Sequence, residues 1–415
     1  MRDARMNWAR NITFGAPHLH RPTSVAELQK LVATASHARA LGTGHSFNTI
    51  ADSVGDQVSL ADMPPSLAID AERKTVTVGA GVRYGELAAF LHGEGYALHN
   101  LGSLPHISVA GACATGTHGS GVTNGNLATA VRAIEMVTAT GDLVTLGTRE
   151  FPGAVVALGM LGIVSSMTLA IEPTYEVAQY VYDDLPFSDL QENLDEILSA
   201  AYSVSVFTDW RGPLMNAVWL KYRVGSAGVE RPEPHWMGAR LADGPRHPVP
   251  HMPVENCTQQ LGVPGPWHER LPHFRLDFTP SNGEELQTEY FVARTSAHDA
   301  LDALNGMRER IAPVLQITEL RTIAADDLWL SPAYGRDSFA MHFTWIKDHD
   351  AVAPVVAEIE EKLAPFDARP HWGKVFTTSP DVVRRLYDRL PDFSALAAHY
   401  DPAGKFRNEF VDRYV

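Results

Sequence analysis

Cysteine is nearly absent: Cys113 and Cys257 are the two in 415 residues. Two isolated thiols make neither a disulfide framework nor a CxxC metal site, which suits a reducing compartment and makes the cytoplasm the expected location. Basic clusters are missing too, and 34 Lys and Arg against 49 Asp and Glu leave a formal net charge of -15. Without a basic field, no nucleic-acid backbone or anionic membrane surface is expected as a partner. No apolar run is long enough to cross a bilayer, and the opening MRDARMNWARNITFG carries basic residues with no apolar stretch behind them, so neither a span nor a secretory leader is expected. GxGxxG, Walker A and HExxH patterns, internal repeats and low-complexity tracts are all lacking. Their absence sets aside a Rossmann or P-loop nucleotide site and a zinc hydrolase. His99, His106 and His118 lie close together but without ligand spacing, so no metal is expected. No required protein partner is indicated either.

What is present is a chain with 45% hydrophobic residues, enough for two or three domains at ~100 to 200 residues each. From Arg21 to Pro173 short apolar runs alternate with glycine turns. Ser24 and Glu27 read as a capping box opening a helix, ARALG as a strand, LAID and TVTVGAG as two more, YGELAAFLHGEG as a helix and AIEMVTATGDLVTL as a hairpin. That is an α/β pattern. From Tyr175 to Arg369 the strands lengthen, as in SVFTDW, AVWLKYRV and LQTEYFVAR, with helices predicted at DLQENLDEILSAAY and SAHDALDALNGMRERI. This reads as a second, α+β domain. Ten prolines between Gly225 and Pro280 mark a long connection, of the kind that serves as a lid or an ordered cover.

Two glycine turns carry chemistry. In ALGTGHSFN, successive backbone N–H groups around Gly42 and Gly44 can face an anion, because glycine tolerates positive φ and lets a ligand approach closely. An ordinary structural turn accounts for that stretch taken alone. In GSLPHISVAGACATGTHGSG, Ser108 is placed to cap a short helix, VAGACAT, that runs into a second glycine loop. Two such turns together fit a pyrophosphate.

Two strands carry polar faces. Alternation in QITELRTI puts Glu319 and Arg321 on one side and Leu320 on the other. In SFAMHFTWI it puts His342 and Thr344 on one side, with Phe339, Met341, Phe343 and Trp345 opposite. If the strands share a sheet with these faces aligned, four hydrogen-bonding side chains converge. The plain alternative is a solvated sheet face with a Glu–Arg pair.

The chain resembles flavoproteins of the vanillyl-alcohol oxidase type, and among them the alditol oxidases, in LGTGHSFN, SLPHISVAGACATGTHGSG, AAYSVSVFTDWR, NCTQQLGVPGPWHERLPHF, SPAYGRDSFAMHFTW, ARPHWGKVF and DPAGKF. The resemblance implies a two-domain α+β fold. An FAD-binding domain of two α/β subdomains would comprise residues 1–174 and a C-terminal return over 370–415. A substrate domain with a large antiparallel sheet would be inserted at 175–369. It also implies FAD held by Leu41, Gly42, Thr43, Gly44, Ser46 and Phe47, and bonded covalently through the imidazole of His45. A neutral imidazole, with an ordinary pKa of ~6.5, is a competent nucleophile for such a bond. His118 is the competitor. Ser103, Ser108, Gly111, Thr115, Gly116, Thr117, His118 and Ile163 match other FAD-contacting positions.

Ser103, Glu319, Arg321, Thr344 and Lys374 match the polyol-binding positions of the resembled family. A polyol offers hydroxyls that both donate and accept, so mixed partners suit it. The implied reaction is oxidation of a terminal CH2OH to the aldose by hydride transfer to the flavin, with O2 reduced to H2O2. His342 is the candidate base with Glu319 as rival, while Arg321 and Lys374 would stabilise negative charge. Gly102 would be the gate through which oxygen reaches the flavin. Alternatives left open are an aldonolactone oxidase or dehydrogenase of the same fold, and a flavin-free carbohydrate-binding protein.

Overall fold

The computed structural model describes residues 5–147, 152–225, 232–278 and 283–415. Three larger sheets organise it, beside a two-stranded pairing of Tyr96–Ala97 with Glu172–Pro173. Parallel pairing is found in a three-stranded sheet in which Asp56–Val58 lies between His18–His20 and Ala38–Ala40. A helix, Val25–Thr34, precedes the last of these strands; Ser24 accepts from the Glu27 N–H at its start, while Glu27 reaches back to Thr23. The capping box is thus shifted by one residue on its return arm.

A five-stranded sheet, ordered Leu67–Asp70, Thr75–Gly79, Ile163–Ala170, Val131–Val137 and Leu143–Gly147, is antiparallel throughout. The last two strands are the expected hairpin. Helix Tyr84–Gly93 packs beside this sheet with Leu87, Ala88 and Leu91 buried in the same core as Val76, Val78 and Leu169.

The third sheet has ten strands, all paired antiparallel. Its centre runs Leu214–Arg223, Ser203–Thr208, Leu315–Ile323, Ser338–Ile346, Glu285–Ala293. One face is covered by helices. His349–Leu363 buries Val352, Val355, Val356, Ile359 and Leu363, a 3.6-residue stripe, against Phe339, Met341, Phe343, Trp345 and Leu320. Each such side chain taken from water is worth about 1.5–3 kcal/mol. The two helices expected in this segment are both interrupted: one resumes after Asn193, and the other breaks between Asn305 and Arg308.

The opposite face of the large sheet turns Glu289, Glu319, Arg321, His342 and Thr344 toward the glycine loops, with an apolar cluster of Phe207, Ala217, Trp219 and Ile317 beside them. The proline-rich connection lies across it, although 226–231 and 279–280 fall outside the described residues. Its anchors are the fully buried Trp267 and a bridge between Cys257 and Phe274. C-terminal residues return to the N-terminal part. The Phe47 N–H donates to Gly373 O at 2.7 Å, Asn48 donates to the carbonyls of Trp372 and Lys374 at 2.8 Å each, and the Ala38 N–H donates to Lys405 O at 2.9 Å.

Candidate active site

One continuous cavity of about 370 Å³ joins the glycine loops to the polar face of the ten-stranded sheet. Its wall includes Leu41, Gly42, Thr43, Gly44, His45, Ser46 and Phe47 from the first turn, and Gly102, Ser103, Ser108, Gly111, Thr115, Thr117 and His118 from the second. Glu319, Arg321, His342, Thr344 and Lys374 form the far end. Two expected members are not on it. Ile163 points into the core with Leu28 and Val58, and the strand's alternation leaves Gly162 and Val164 on the wall instead. Gly116 turns away at φ 71°, where a Cβ would come within 2.9 Å of Pro332.

The first turn is shaped by close approach. At Gly42 a Cβ would sit 2.5 Å from Ser108 Oγ, and Gly44 adopts φ 72°. The N–H groups from Gly42 to Ser46 have no hydrogen-bond partner among the described residues. A row of unsatisfied donors on a cavity wall suits an anionic oxygen. Ser108 itself starts the Val109–Ala114 helix without capping it, since its hydroxyl lies against Gly42 and Gly111.

His45 closes this turn. Its ring stacks on Trp8 at 5.0 Å between centroids, and Nδ1 is hydrogen-bonded to Thr43 Oγ1 at 3.0 Å. Burial, aided by His106 and Lys374, pushes its pKa down to about 4. The imidazole is neutral at neutral pH. His118 differs, because both its nitrogens are engaged, Nδ1 with Gly119 O at 2.8 Å and Nε2 with Glu289 Oε1 at 3.0 Å. His99 and His106 are spread out with partners of their own, Gly125 O and Leu276 O.

On the sheet, Glu319 lies directly opposite His342 and Ile317 opposite Thr344, so the polar residues of the two strands share one face. Arg321 donates to Glu289 Oε1 at 2.6 Å and to Ser103 Oγ at 3.4 Å, with its Nε 3.6 Å from Glu319 Oε1. Glu319 accepts at Oε1 from His273 Nε2, 2.7 Å away. Burial works to raise the carboxyls of Glu319 and Glu289. Arg321 and His273 outweigh it at the first, His118 and Arg321 at the second, and both are held below the usual range. His342 has Nε2 3.3 Å from Thr344 Oγ1 and Nδ1 3.7 Å from Glu289 Oε2. Burial lowers its pKa, although Glu289 opposes the shift. Lys374 donates to Gln287, and burial brings its pKa down to about 8.

Sequence reasoning missed Gln287, Glu289, His273, Lys221 and His371. The first two had a signal: alternation in LQTEYFVAR puts Gln287 and Glu289 on one face of the strand next to His342. His371 accepts from the Gly373 N–H at 3.0 Å and shapes the turn that presents Lys374.

The FAD binding domain family matches residues 16–147, and the D-arabinono-1,4-lactone oxidase family matches residues 282–414. The chain is 54% identical to an alditol oxidase of Streptomyces sp. (strain IKD472 / FERM P-14339) over 99% of both chains. It is 27% identical to an L-gulono-1,4-lactone dehydrogenase of Mycobacterium tuberculosis, over 99% of this chain and 98% of that one. Among solved structures, cholesterol oxidase from B. sterolicum superposes with a TM-score of 0.79 at 14% identity, over 99% of this chain and 96% of that one. A xylooligosaccharide oxidase from Myceliophthora thermophila does so at 0.74 and 16%, over 97% and 92%. Those two likenesses show the vanillyl-alcohol oxidase type of fold, and the sequence match shows more: the chain belongs to the alditol oxidase family of FAD-dependent oxidoreductases.

Proposed function

We propose that this protein oxidises the terminal CH2OH of alditols, xylitol and sorbitol among them, to the aldose while O2 is reduced to H2O2, with FAD attached covalently through His45. The observation that carries the reading is the single cavity with free N–H donors and a neutral imidazole at one end and a mixed polar face at the other. An FAD pyrophosphate fits the Gly42–Ser46 row, whose unpaired N–H donors suit its oxygens; Gly42 lets the turn pack against Ser108 and Gly44 supplies the positive φ that the row requires. Gly102, Ser103, Ser108, Gly111, Thr115, Thr117 and His118 would line the rest of the cofactor. The same reading gives residues 1–174 and 370–415 to the cofactor and 175–369 to the substrate, supported by the bonds from Phe47 and Asn48 to residues 372–374. A cytoplasmic location belongs to it too, and the two buried, unpaired cysteines suit that.

Bound FAD supplies the two-electron acceptor that takes hydride from the alcohol carbon and passes electrons to O2. The chain's residues do the rest. Glu319 accepts from a substrate hydroxyl, Arg321 and Lys374 donate, and Ser103 and Thr344 do either. His342, neutral and buried, takes the hydroxyl proton. Glu319 is the weaker base, because a carboxylate held low by Arg321 and His273 has little affinity for a proton. Positive charge on Arg321 and Lys374 then stabilises the alkoxide as it forms.

A second reading, oxidation of aldonolactones, is favoured by the lactone-oxidase family match over residues 282–414, which include Glu319, Arg321, His342, Thr344 and Lys374. One experiment separates them. Acid-precipitated protein should stay yellow, and peroxide should form with xylitol and sorbitol faster than with gulonolactone or galactonolactone. A colourless pellet would remove the covalent bond, and preference for lactones would remove the alditol assignment.

A further inference from the structure

Behind Glu319 stands a chain of two buried groups, Lys221 and His273, to which the mechanism above gives no role toward the substrate. Lys221, on the Leu214–Arg223 strand, is 1% exposed. Its ammonium faces three acceptors: Leu271 O, Pro272 O at 3.4 Å and His273 Nδ1 at 3.1 Å. Burial pulls its pKa down to about 7 while Glu319 opposes the shift; in the protonated form three N–H groups meet three acceptors, so the cation is fully satisfied. Because Nδ1 of His273 accepts, the ring proton sits on Nε2 and is donated to Glu319 Oε1 at 2.7 Å. The ring cannot swing out of line. Phe207 and Trp219 meet it edge-on at 5.6 and 5.0 Å between centroids.

We infer that Lys221 and His273 are positioning residues: the buried ammonium fixes the His273 tautomer that holds Glu319 Oε1, which leaves Oε2 as the acceptor offered to a substrate hydroxyl. This rests on Glu319 being a polyol-binding residue. The charged and titratable groups facing Glu319 are Arg321 on its own strand, His342 on the paired strand, His273 from the covering segment, and Lys221 and Lys374 further off. Cys257 is the remaining titratable neighbour of Lys221. Arg321 is shared with Glu289, so His273 is the donor that Glu319 has to itself. Lys221 has a second effect in the same bonds. By holding the Leu271 and Pro272 carbonyls it pins the covering segment to the sheet, so the wall that carries His273 is in place before substrate arrives.

The test uses flavin-loaded holoenzyme and four proteins: wild type, Lys221→Met, His273→Phe and His273→Gln. Glutamine keeps an acceptor and a donor at about the spacing of the imidazole nitrogens; phenylalanine keeps only bulk. Lys221→Met and His273→Phe should raise KM for xylitol about tenfold or more, with a smaller fall in kcat, and add an acid limb to kcat/KM as Glu319 becomes easier to protonate. His273→Gln should restore both toward wild type. Equal KM and an unshifted pH profile in folded, yellow Lys221→Met and His273→Phe would overturn the inference, as would His273→Gln behaving like His273→Phe. Should the first two variants fail to fold, 15N-histidine spectra of the wild type decide, with His273 assigned by its loss in His273→Gln: an Nε2–H tautomer supports the chain, Nδ1–H overturns it. Wild type with no turnover of xylitol would sink the alditol reading, whereas normal wild-type turnover with unaffected variants sinks this inference alone.

Discussion

The indole of Trp8 lies on the imidazole of His45, with centroids 5.0 Å apart and planes inclined by 22°. Trp8 is tied to the same turn through its backbone, donating to Gly44 O at 2.8 Å. The histidine is therefore held by stacking, by Thr43 and by burial before any bond to a cofactor forms. His45→Ala should abolish denaturation-resistant flavin while the turn's N–H groups still bind some FAD. Absorbance of the acid-precipitated variant reads this directly, and colour retained there would move the bond to another residue, His118 first.

Removing a cation from the polar face should damage turnover far more than cofactor loading. Arg321→Ala and Lys374→Ala each remove a charged hydrogen bond at a buried site, worth about 1.5–3 kcal/mol, or roughly one to two powers of ten in rate. Flavin content should stay near normal. Wild-type rates in both variants would assign these side chains to structure alone.

The pH profile has a sign on each side. His342 must be neutral to accept a proton, and its pKa is lowered from the ordinary imidazole value, so activity should fall only at pH below that value. Lys374 is cationic below its pKa of about 8, so the alkaline limb should set in as pH rises through that region. A guanidinium keeps its charge to pH above ~12. Lys374→Arg, if it turns over substrate, should therefore lose the alkaline limb, and a limb that persists would assign it to another group.

Gly102 need not be glycine for its backbone. A Cβ there meets nothing closer than 3.6 Å, and its φ is not positive. Gly102→Val should fold, be reduced anaerobically by xylitol at close to the normal rate, and reoxidise more slowly with oxygen. Rapid mixing separates the two half-reactions, and equal losses in both would dismiss the gate.

Legibility followed range. The faces of QITELRTI and SFAMHFTWI could be read from alternation because side-chain direction in a strand is a local property, and pairing of Glu319 with His342 brought those faces together. Glu289 obeys the same rule, since alternation in LQTEYFVAR puts it on the face that pairs with His342. A one-residue phase separates Ile163 in the core from Val164 on the cavity, and matching by position does not resolve that. Lys221 was beyond reach. It sits in an apolar strand, and its acceptors lie 50 to 52 residues on, so only the folded covering segment gives it a role. The two interrupted helices show the limit of periodicity, since an apolar repeat runs on through the single turn at which each helix breaks.

The bonds from Phe47 to Gly373 and from Ala38 to Lys405 join residues that leave the ribosome far apart in time. Domains fold as they are synthesised, N-terminal parts first. Here the turn bearing His45 emerges early and waits for partners more than three hundred residues downstream. Without those downstream residues the N-terminal part has an open edge, and stable capture of FAD should require residues 373 to 405. A nascent chain arrested before Gly373 should not retain the cofactor that the completed protein takes up.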